Sequence, residues 1–148
     1  MNYRLTLRKN CEINGLDYKM FSDDRANGAD FFEKEANGRI ICDTDDCAAT
    51  AAYAHAHHKM GLTVRVAGKL AKHLRRAMRD YPTADQLTIV TLQNGLTFVQ
   101  PTADLDLSTG FNSGSYVICA TMFDVRNLRQ QVRDAVEAEP VVIGGDDD

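Results

Sequence analysis

Two cysteines and three histidines are the side chains best suited to metal chemistry in this chain. Cys42 and Cys47 precede a short group formed by His55, His57 and His58. A structural zinc site takes about four nitrogen or sulfur ligands in a tetrahedron. The spacing departs from the usual pattern, because cysteine pairs are normally closer and three histidines this near one another face different directions on a helix. Zinc binding is therefore an alternative to a simpler interpretation, in which the thiols are buried and the histidines form a polar patch.

The same residue types raise the question of catalysis. A cysteine nucleophile with a histidine base needs the two side chains to be adjacent in space, which their spacing does not establish. The chain contains no phosphate loop, dinucleotide fingerprint or nucleophile elbow. Asp43, Asp45 and Asp46 lack the later ligands of a calcium loop and are better explained as the cap of the next helix. We expect a protein that works by binding and not by catalysis.

Basic side chains are concentrated on two predicted helices and give the clearest indication of a partner. A row of cations on a helix face neutralises phosphates without contacting bases, so binding would be independent of sequence and steeply dependent on salt. The alternative is a pair of ordinary solvated helix faces. The scarcity of acids on the first helix favours DNA, because solvent-facing surfaces usually mix both signs. The candidate DNA-binding residues are Lys69, Lys72, Arg75, Arg76, Arg79, Arg126, Arg129 and Arg133.

The overall charge argues against a uniformly basic surface and supports a second hypothesis. The 148 residues carry a formal net charge of −4 at pH 7, whereas dedicated nucleic-acid-binding domains are usually basic as a whole. Acids collect near residues 43–46 and in the C-terminal tail. An acidic surface suits a small accessory protein or inhibitor, for example of phage or mobile-element origin, that binds a basic protein partner.

The hydrophobic pattern of the sequence bears on the cellular location of the protein. No segment approaches the roughly 18 apolar residues of a membrane span, so we expect no membrane partner. The first residues lack the apolar run of a signal peptide. The sequence therefore predicts a cytoplasmic protein.

The elements that position these residues fall into two halves, each with an Asn-Gly pair that favours a tight hairpin. In the first half, alternation predicts a strand over 2–9, the Asn37-Gly38 turn predicts hairpin strands near 30–36 and 39–43, and polar residues predict a loop over 22–28. Residues 16–21 are compatible with a short helix or a strand. Alanine content predicts a helix over 47–60, although the alternation of Tyr53, His55 and His57 leaves a strand open.

The second half has clearer periodicity. It predicts an amphipathic helix over 67–81, with an apolar stripe through Leu70, Leu74 and Met78, and a final helix over 124–138 capped by Asp124. An exposed sheet edge near 115–121 could pair with a partner strand or with a second copy. Residues 141–148 are predicted to be a flexible acidic tail. The predicted strands cover 62–66, 86–92, 95–100, 103–109 and 115–121.

This order of elements resembles one domain of the sliding DNA clamps, the processivity factors of replicative polymerases. Residues 38–46 look like the hairpin return that ends in a Thr-Asp pair, and residues 63–108 look like a helix-and-sheet unit. The resemblance implies an acidic protein whose basic helices face DNA, and self-assembly if a ring forms. We therefore expect one α+β domain over 1–140, with an antiparallel sheet built from two hairpin-containing half-repeats, about 1–61 and 62–121, and two to three amphipathic helices.

Overall fold

The computed structural model describes residues 3–138, and three of its helices pack against one other helix. A π-helical turn over His55–Lys59 extends the helix α3 (Thr44–Ala54). This helix packs against both α4 (Val64–Asp80) and α5 (Val125–Glu137). Within the described residues no helix has the length and apolar character needed to cross a membrane. The α-helices are α1 (Leu7–Ile13), α2 (Tyr18–Ala26), α3 (Thr44–Ala54), α4 (Val64–Asp80) and α5 (Val125–Glu137).

Antiparallel strands complete an α+β fold, which confirms the predicted class. The strands are β1 (Leu5–Thr6), β2 (Ile41–Cys42), β3 (Leu87–Leu92), β4 (Thr97–Pro101), β5 (Phe111–Asn112) and β6 (Ser115–Phe123). A two-stranded pair joins β1 to β2, and the other four strands form a sheet in the order β4-β3-β6-β5. A 3₁₀ turn over Thr102–Asp104 follows β4.

The core forms where small residues of α3 allow its neighbours to approach. Ala48 and Ala49 are fully buried, and Tyr53 fills the space beside them. The ring of Tyr53 makes an edge contact with Phe21 of α2 at 5.5 Å between centroids, and its hydroxyl donates to Asp24 at 2.8 Å. The prediction of a helix over 47–60 is confirmed, because alanine favours helix and also suits this close packing.

Several predicted elements of the first half are wrong in type or extent. Of the strands predicted over 2–9 and 39–43, only the two residues of β1 and the two residues of β2 are strand. Residues 30–36 form no strand. Thr6 ends β1 because its hydroxyl accepts a hydrogen bond from the Lys9 amide and starts α1. The Asn37-Gly38 turn does form, with Gly38 at φ +84°. The residues on its two sides do not form a pair of strands. Most of the predicted loop over 22–28 belongs to α2.

The second half matches the sequence pattern more closely. The helices predicted over 67–81 and 124–138 are confirmed, as are the strands near 86–92, 95–100 and 115–121. The strand predicted over 62–66 is wrong, because the Thr63 hydroxyl accepts from the Val66 amide and starts α4. The strand predicted over 103–109 is also wrong, and the two residues of β5 take its place in the sheet. The predicted tail over 141–148 lies outside the described residues.

Gly68 lets α4 lie directly against the segment that follows α2. A Cβ atom at this position would stand 2.7 Å from both the Ala29 Cα and the Gly28 carbonyl oxygen. In an open helix, Gly→Ala gains about 0.5–1 kcal/mol. Here we expect Gly68→Ala to lower the free energy of unfolding by about 1–3 kcal/mol, because backbone must move to relieve the overlap. Urea unfolding measures this change, and a variant more stable than the wild type would contradict it.

Candidate nucleic-acid interface

The acidic residues 43–46 form the N-terminal cap of α3. The Asp43 carboxylate accepts from the Asp46 amide at 2.9 Å, and the Asp46 carboxylate accepts from the Asp43 amide at 2.9 Å. This reciprocal capping box satisfies two backbone donors at the start of the helix. Asp45 and Asp46 also lie in the first turn, where the helix dipole favours negative charge. The interpretation of these acids as a cap is confirmed.

Three arginines converge on this cap from two other helices. Arg75 of α4 donates through Nε to Asp46. Arg79 of α4 donates to Asp43 at 3.0 Å and to Asp45 at 3.3 Å. Arg129 of α5 is the third arginine. The aspartate–arginine cluster, as we call it, consists of Asp43, Asp45, Asp46, Arg75, Arg79 and Arg129. It links α4 and α5 to the first turn of α3.

Arg129 ties the last helix into the same cluster. Its Nε donates to Asp45 at 2.8 Å, and its Nη2 donates to the Met78 carbonyl oxygen of α4 at 3.2 Å. One side chain therefore bridges three helices, and its placement depends on a contact between residues 84 positions apart in sequence.

Burial makes this cluster a structural element and not a phosphate site. The side chains of Asp46 and Arg75 are only 5% and 9% exposed. Burial raises the pKa of the Asp46 carboxyl, and the hydrogen bond from Arg75 acts in the opposite direction. The three guanidinium groups here face the three aspartates, and Arg75 also contacts the Glu33 carboxylate at 3.4 Å, so the cluster has no excess of positive charge with which to attract a polyanion. Arg75 and Arg129 are thus buried and bonded inside the protein, and Arg79 is half-buried and bonded to the same aspartates.

The remaining basic residues of α4 are arranged differently. Lys69, Lys72 and Arg76 are exposed, and within residues 3–138 none of them has an acidic partner at salt-bridge distance. Arg65 is also exposed and unpaired in that range, and it lies four residues before Lys69. Positions i, i+4, i+7 and i+11 share one face of a helix. We call these four residues, Arg65, Lys69, Lys72 and Arg76, the α4 cationic stripe.

Arg65 is the member of the stripe that sequence reasoning missed. The strand predicted over 62–66 includes Arg65 and so leaves it out of the helical pattern. Thr63 was the signal that could have placed it, since threonine is a favoured N-cap and here caps α4. With the helix starting at Val64, the stripe covers eleven residue steps, or about 16 Å along the axis.

The positive charges of this stripe affect the pKa of His73. Its pKa is lowered by burial first, and then by the charges of Arg76, Lys72 and Lys69. The structure thus brings these cations close enough to act together on one imidazole. Among the charges that shift this group, none is acidic.

Removing two of those cations is expected to raise the His73 pKa. In Lys72→Gln/Arg76→Gln the imidazolium loses two repulsive neighbours, so protonation becomes easier and the pKa moves up towards the ordinary value of about 6.5. Burial still acts, so the pKa should stay below that value. A pH titration of the His73 ring signals by NMR measures the shift. An unchanged or lower pKa would contradict the account.

A groove beside the stripe separates α4 from residues 30–33. It has a volume of about 420 Å³, and Lys72 and Arg76 line it together with cluster arginines. Asp30, Glu33 and Asp80 also border it, so its interior is mixed in sign. The outer face of α4 is therefore more cationic than the groove.

The two other candidate arginines on α5 lie in a second pocket. Arg126 is exposed and Arg133 is half-buried, and both line a pocket of about 390 Å³ that also includes Asp45 and Asp85. Neither arginine has a salt-bridge partner in the described part of the chain. They stand seven residues apart, with the internally bonded Arg129 between them. This pair is a weaker cationic surface than the stripe.

The structure does not bring the zinc candidates together. Cys42 lies in β2 and Cys47 in the first part of α3, whereas His55, His57 and His58 lie in the π-helical turn at its other end. Cys47 and His55 are eight residue steps apart along the helix, which is about 12 Å. Across residues 3–138 no group of three or more His, Cys, Asp or Glu side chains is placed to hold a metal ion.

The thiol chemistry agrees with this placement. Burial raises the pKa of Cys47 well above its usual value, and the neighbouring Cys42 and Asp46 add to the effect. A neutral thiol is a poor metal ligand and a poor nucleophile. Cys11, Cys42 and Cys47 are buried, and Cys119 is exposed.

Comparison with known protein families, with characterised proteins and with solved structures found no match for this chain. The likeness to sliding clamps therefore depends on the sequence pattern alone. Function has to be argued from the site itself, because a fold class does not determine an activity.

Proposed function

We propose that this protein is a non-enzymatic module that binds the phosphate backbone of DNA through the α4 cationic stripe. The observation that carries the proposal is the contrast between two sets of basic residues on the same helix. Arg75 and Arg79 are bonded to the aspartates of α3. The four members of the stripe are exposed and have no salt-bridge partner within residues 3–138.

The length and rigidity of the stripe suit a phosphate backbone. Duplex DNA carries one negative charge per about 1.7 Å of its axis, so a stripe of about 16 Å faces many phosphates at once. The cations project from a 17-residue helix, and its buried side anchors it to the core through Leu74 and Met78. Such a surface contacts phosphates without contacting base edges, and binding would be independent of sequence.

The net negative charge of the chain is compatible with this function. At about 0.15 M salt, exposed charges separated by more than about 8 Å are largely screened from each other. A polyanion at the stripe therefore responds mainly to the local cations and only weakly to acids elsewhere. The same reasoning predicts modest affinity, in the range of about 10⁻⁴–10⁻⁶ M that is typical of non-specific DNA binding.

The alternative of an acidic face that binds a basic protein has less support. It depended on the acids near 43–46 and on the C-terminal tail. The first group is neutralised by the arginines of the cluster, and the tail lies outside the described residues. A cytoplasmic location and a clamp-like assembly stay predictions.

A salt series tests the proposed function directly. Fluorescence anisotropy of labelled duplexes of two unrelated sequences should show equal affinity for both. The logarithm of the association constant should fall linearly with the logarithm of salt concentration, with a slope of about −3 to −4 for four phosphate contacts. Absence of binding at about 50 mM salt, or a strong preference for one duplex, would overturn the proposal.

A further inference from the structure

Along most of its length the outer edge of β6 has no strand paired to it within the described residues, and Thr121–Phe123 at its end border a pocket shared with α3 and α5. β5 pairs only with Ser115 and Tyr116 at the start of β6, and the Val117 amide donates to the Gly110 carbonyl oxygen. From there to Phe123, β6 has β3 on one side and no strand on the other within the described residues.

The direction of the backbone groups on this edge follows from the hydrogen bonds of β3. The Leu92 amide donates to Leu96, and the Thr102 amide donates to the Gln86 carbonyl oxygen, so even-numbered residues of β3 face β4. Because bonding alternates along an antiparallel strand, the odd-numbered residues of β3 face β6. The bond from the Gln93 amide to the Tyr116 carbonyl oxygen agrees with this assignment.

The register then identifies the unused groups. Ile89 is opposite Thr121, and Val90 is opposite Ala120. Thr121 therefore bonds to β3, whereas Ala120 and Met122 direct their amide and carbonyl groups to the open edge. These two amides and two carbonyl groups form no hydrogen bond to any residue within 3–138.

The side chains of β6 leave this edge unprotected. Natural proteins usually place charged residues, prolines or bulges on open strands to prevent pairing. No charged residue or proline occurs between Ser115 and Phe123. Ile118 and Met122 are 64% and 51% exposed, and the one bulge in this pairing falls at Ile118, at the start of the open stretch, so residues 119–123 stay regular. Such an edge suits an extended, uncharged strand as its partner.

We infer that β6 is a homodimer interface, in which the β6 strands of two copies pair antiparallel about a two-fold axis at Thr121. This register places Ala120 opposite Met122 of the second copy, so the amides and carbonyls of both residues are bonded in four hydrogen bonds. A register centred on Ala120 would instead pair Met122 with Ile118 at the bulge, and one centred on Met122 would pair Ala120 with Asp124, which caps α5. The four-stranded sheet would continue across the axis into the second copy.

A second copy fits this edge for a reason of charge. A two-fold axis places the same strand on both sides, so a charged residue near the axis would approach its own counterpart and destabilise the pair. β6 has no charged residue to be repelled. At the axis, Thr121 would face Thr121 of the second copy, a favourable cross-strand pair.

Disulfide trapping tests both the interface and its register. In a Cys119→Ser background, which removes the exposed thiol, Thr121→Cys places two cysteines opposite each other at a non-hydrogen-bonded position. The Cα atoms there are about 4.5 Å apart, within the range of a disulfide. Mild oxidation should give a covalent dimer rapidly. Met20 is exposed on α2, so Met20→Cys in the same background is the matched control. Equal crosslinking of the Thr121→Cys and Met20→Cys variants would overturn the inference.

Sedimentation equilibrium tests the reversible dimer. The wild type should dimerise, and Met122→Lys should weaken the dimer at least about tenfold, because it brings cations to the paired edge. Met20→Lys adds the same charge elsewhere and should leave the dissociation constant unchanged. A wild type that stays monomeric at its highest soluble concentration would overturn the inference. So would a Met122→Lys variant that folds and dimerises like the wild type.

Discussion

Replacing Arg75 with glutamine is expected to lower the free energy of unfolding by about 3–5 kcal/mol, because it removes one partner of a buried ion pair. The Asp46 carboxylate would stay buried, with Arg79 at 3.2 Å as its remaining basic partner. That remaining contact places the expected loss near the lower end of the range. Urea unfolding followed by circular dichroism measures the change.

Arg76→Gln is the matched control for this prediction. The residue is adjacent in sequence and carries the same charge, but it is exposed and has no salt-bridge partner within the described range. Its replacement should change the free energy of unfolding by less than about 0.5 kcal/mol, as is usual for surface substitutions. Equal losses for the two variants would contradict the division of α4 into an internal and an external set of cations.

Removing three cations of the stripe is expected to abolish most of the affinity for DNA. In Lys69→Gln/Lys72→Gln/Arg76→Gln, the slope of the salt dependence should become shallower by about 2–3, since each phosphate contact contributes about 0.9. At about 50 mM salt the affinity should fall by at least about a hundredfold. Anisotropy with the same duplexes measures both quantities, and the unfolding free energy should stay close to that of the wild type.

A second triple variant separates the stripe from the effect of net charge. Lys19, Lys34 and Lys59 are exposed and lie on other segments. Changing all three to glutamine removes the same number of charges, and affinity should fall by no more than a few-fold because distant charges are screened. A comparable loss of affinity in both triple variants would show that binding does not depend on the stripe.

The difference between Arg75 and Arg76 was partly predictable from the sequence. Arg75 lies between Ala71 and Met78 at helical spacing, and both of those residues are fully buried. A helix drawn with that face inward places Arg75 towards the core and Arg76 towards solvent. Its bonding partner could not be predicted, because Asp46 is 29 residues away and meets it only through the packing of α3 on α4.

Local signals explain which elements were predicted correctly. The hairpin of β3 and β4 depends on the adjacent Asn94-Gly95 pair, with Gly95 at φ +90°, so the sequence contains all that it needs. At residues 2–9 and 62–66, alternation favoured strands, but Thr6 and Thr63 cap helices there. A short alternating run does not separate a strand from the first turn of a helix.

Locating the DNA-binding surface by NMR tests most directly whether DNA binds to the α4 cationic stripe. A ¹H–¹⁵N titration of the wild type with a short duplex at low salt should produce its largest shifts between residues 65 and 76. The ring signals of His73 should move as its pKa rises beside bound phosphates, because the anion stabilises the imidazolium. Shifts centred instead on Arg126 and Arg133, or no shifts at low salt, would contradict the assignment of the stripe as the binding surface.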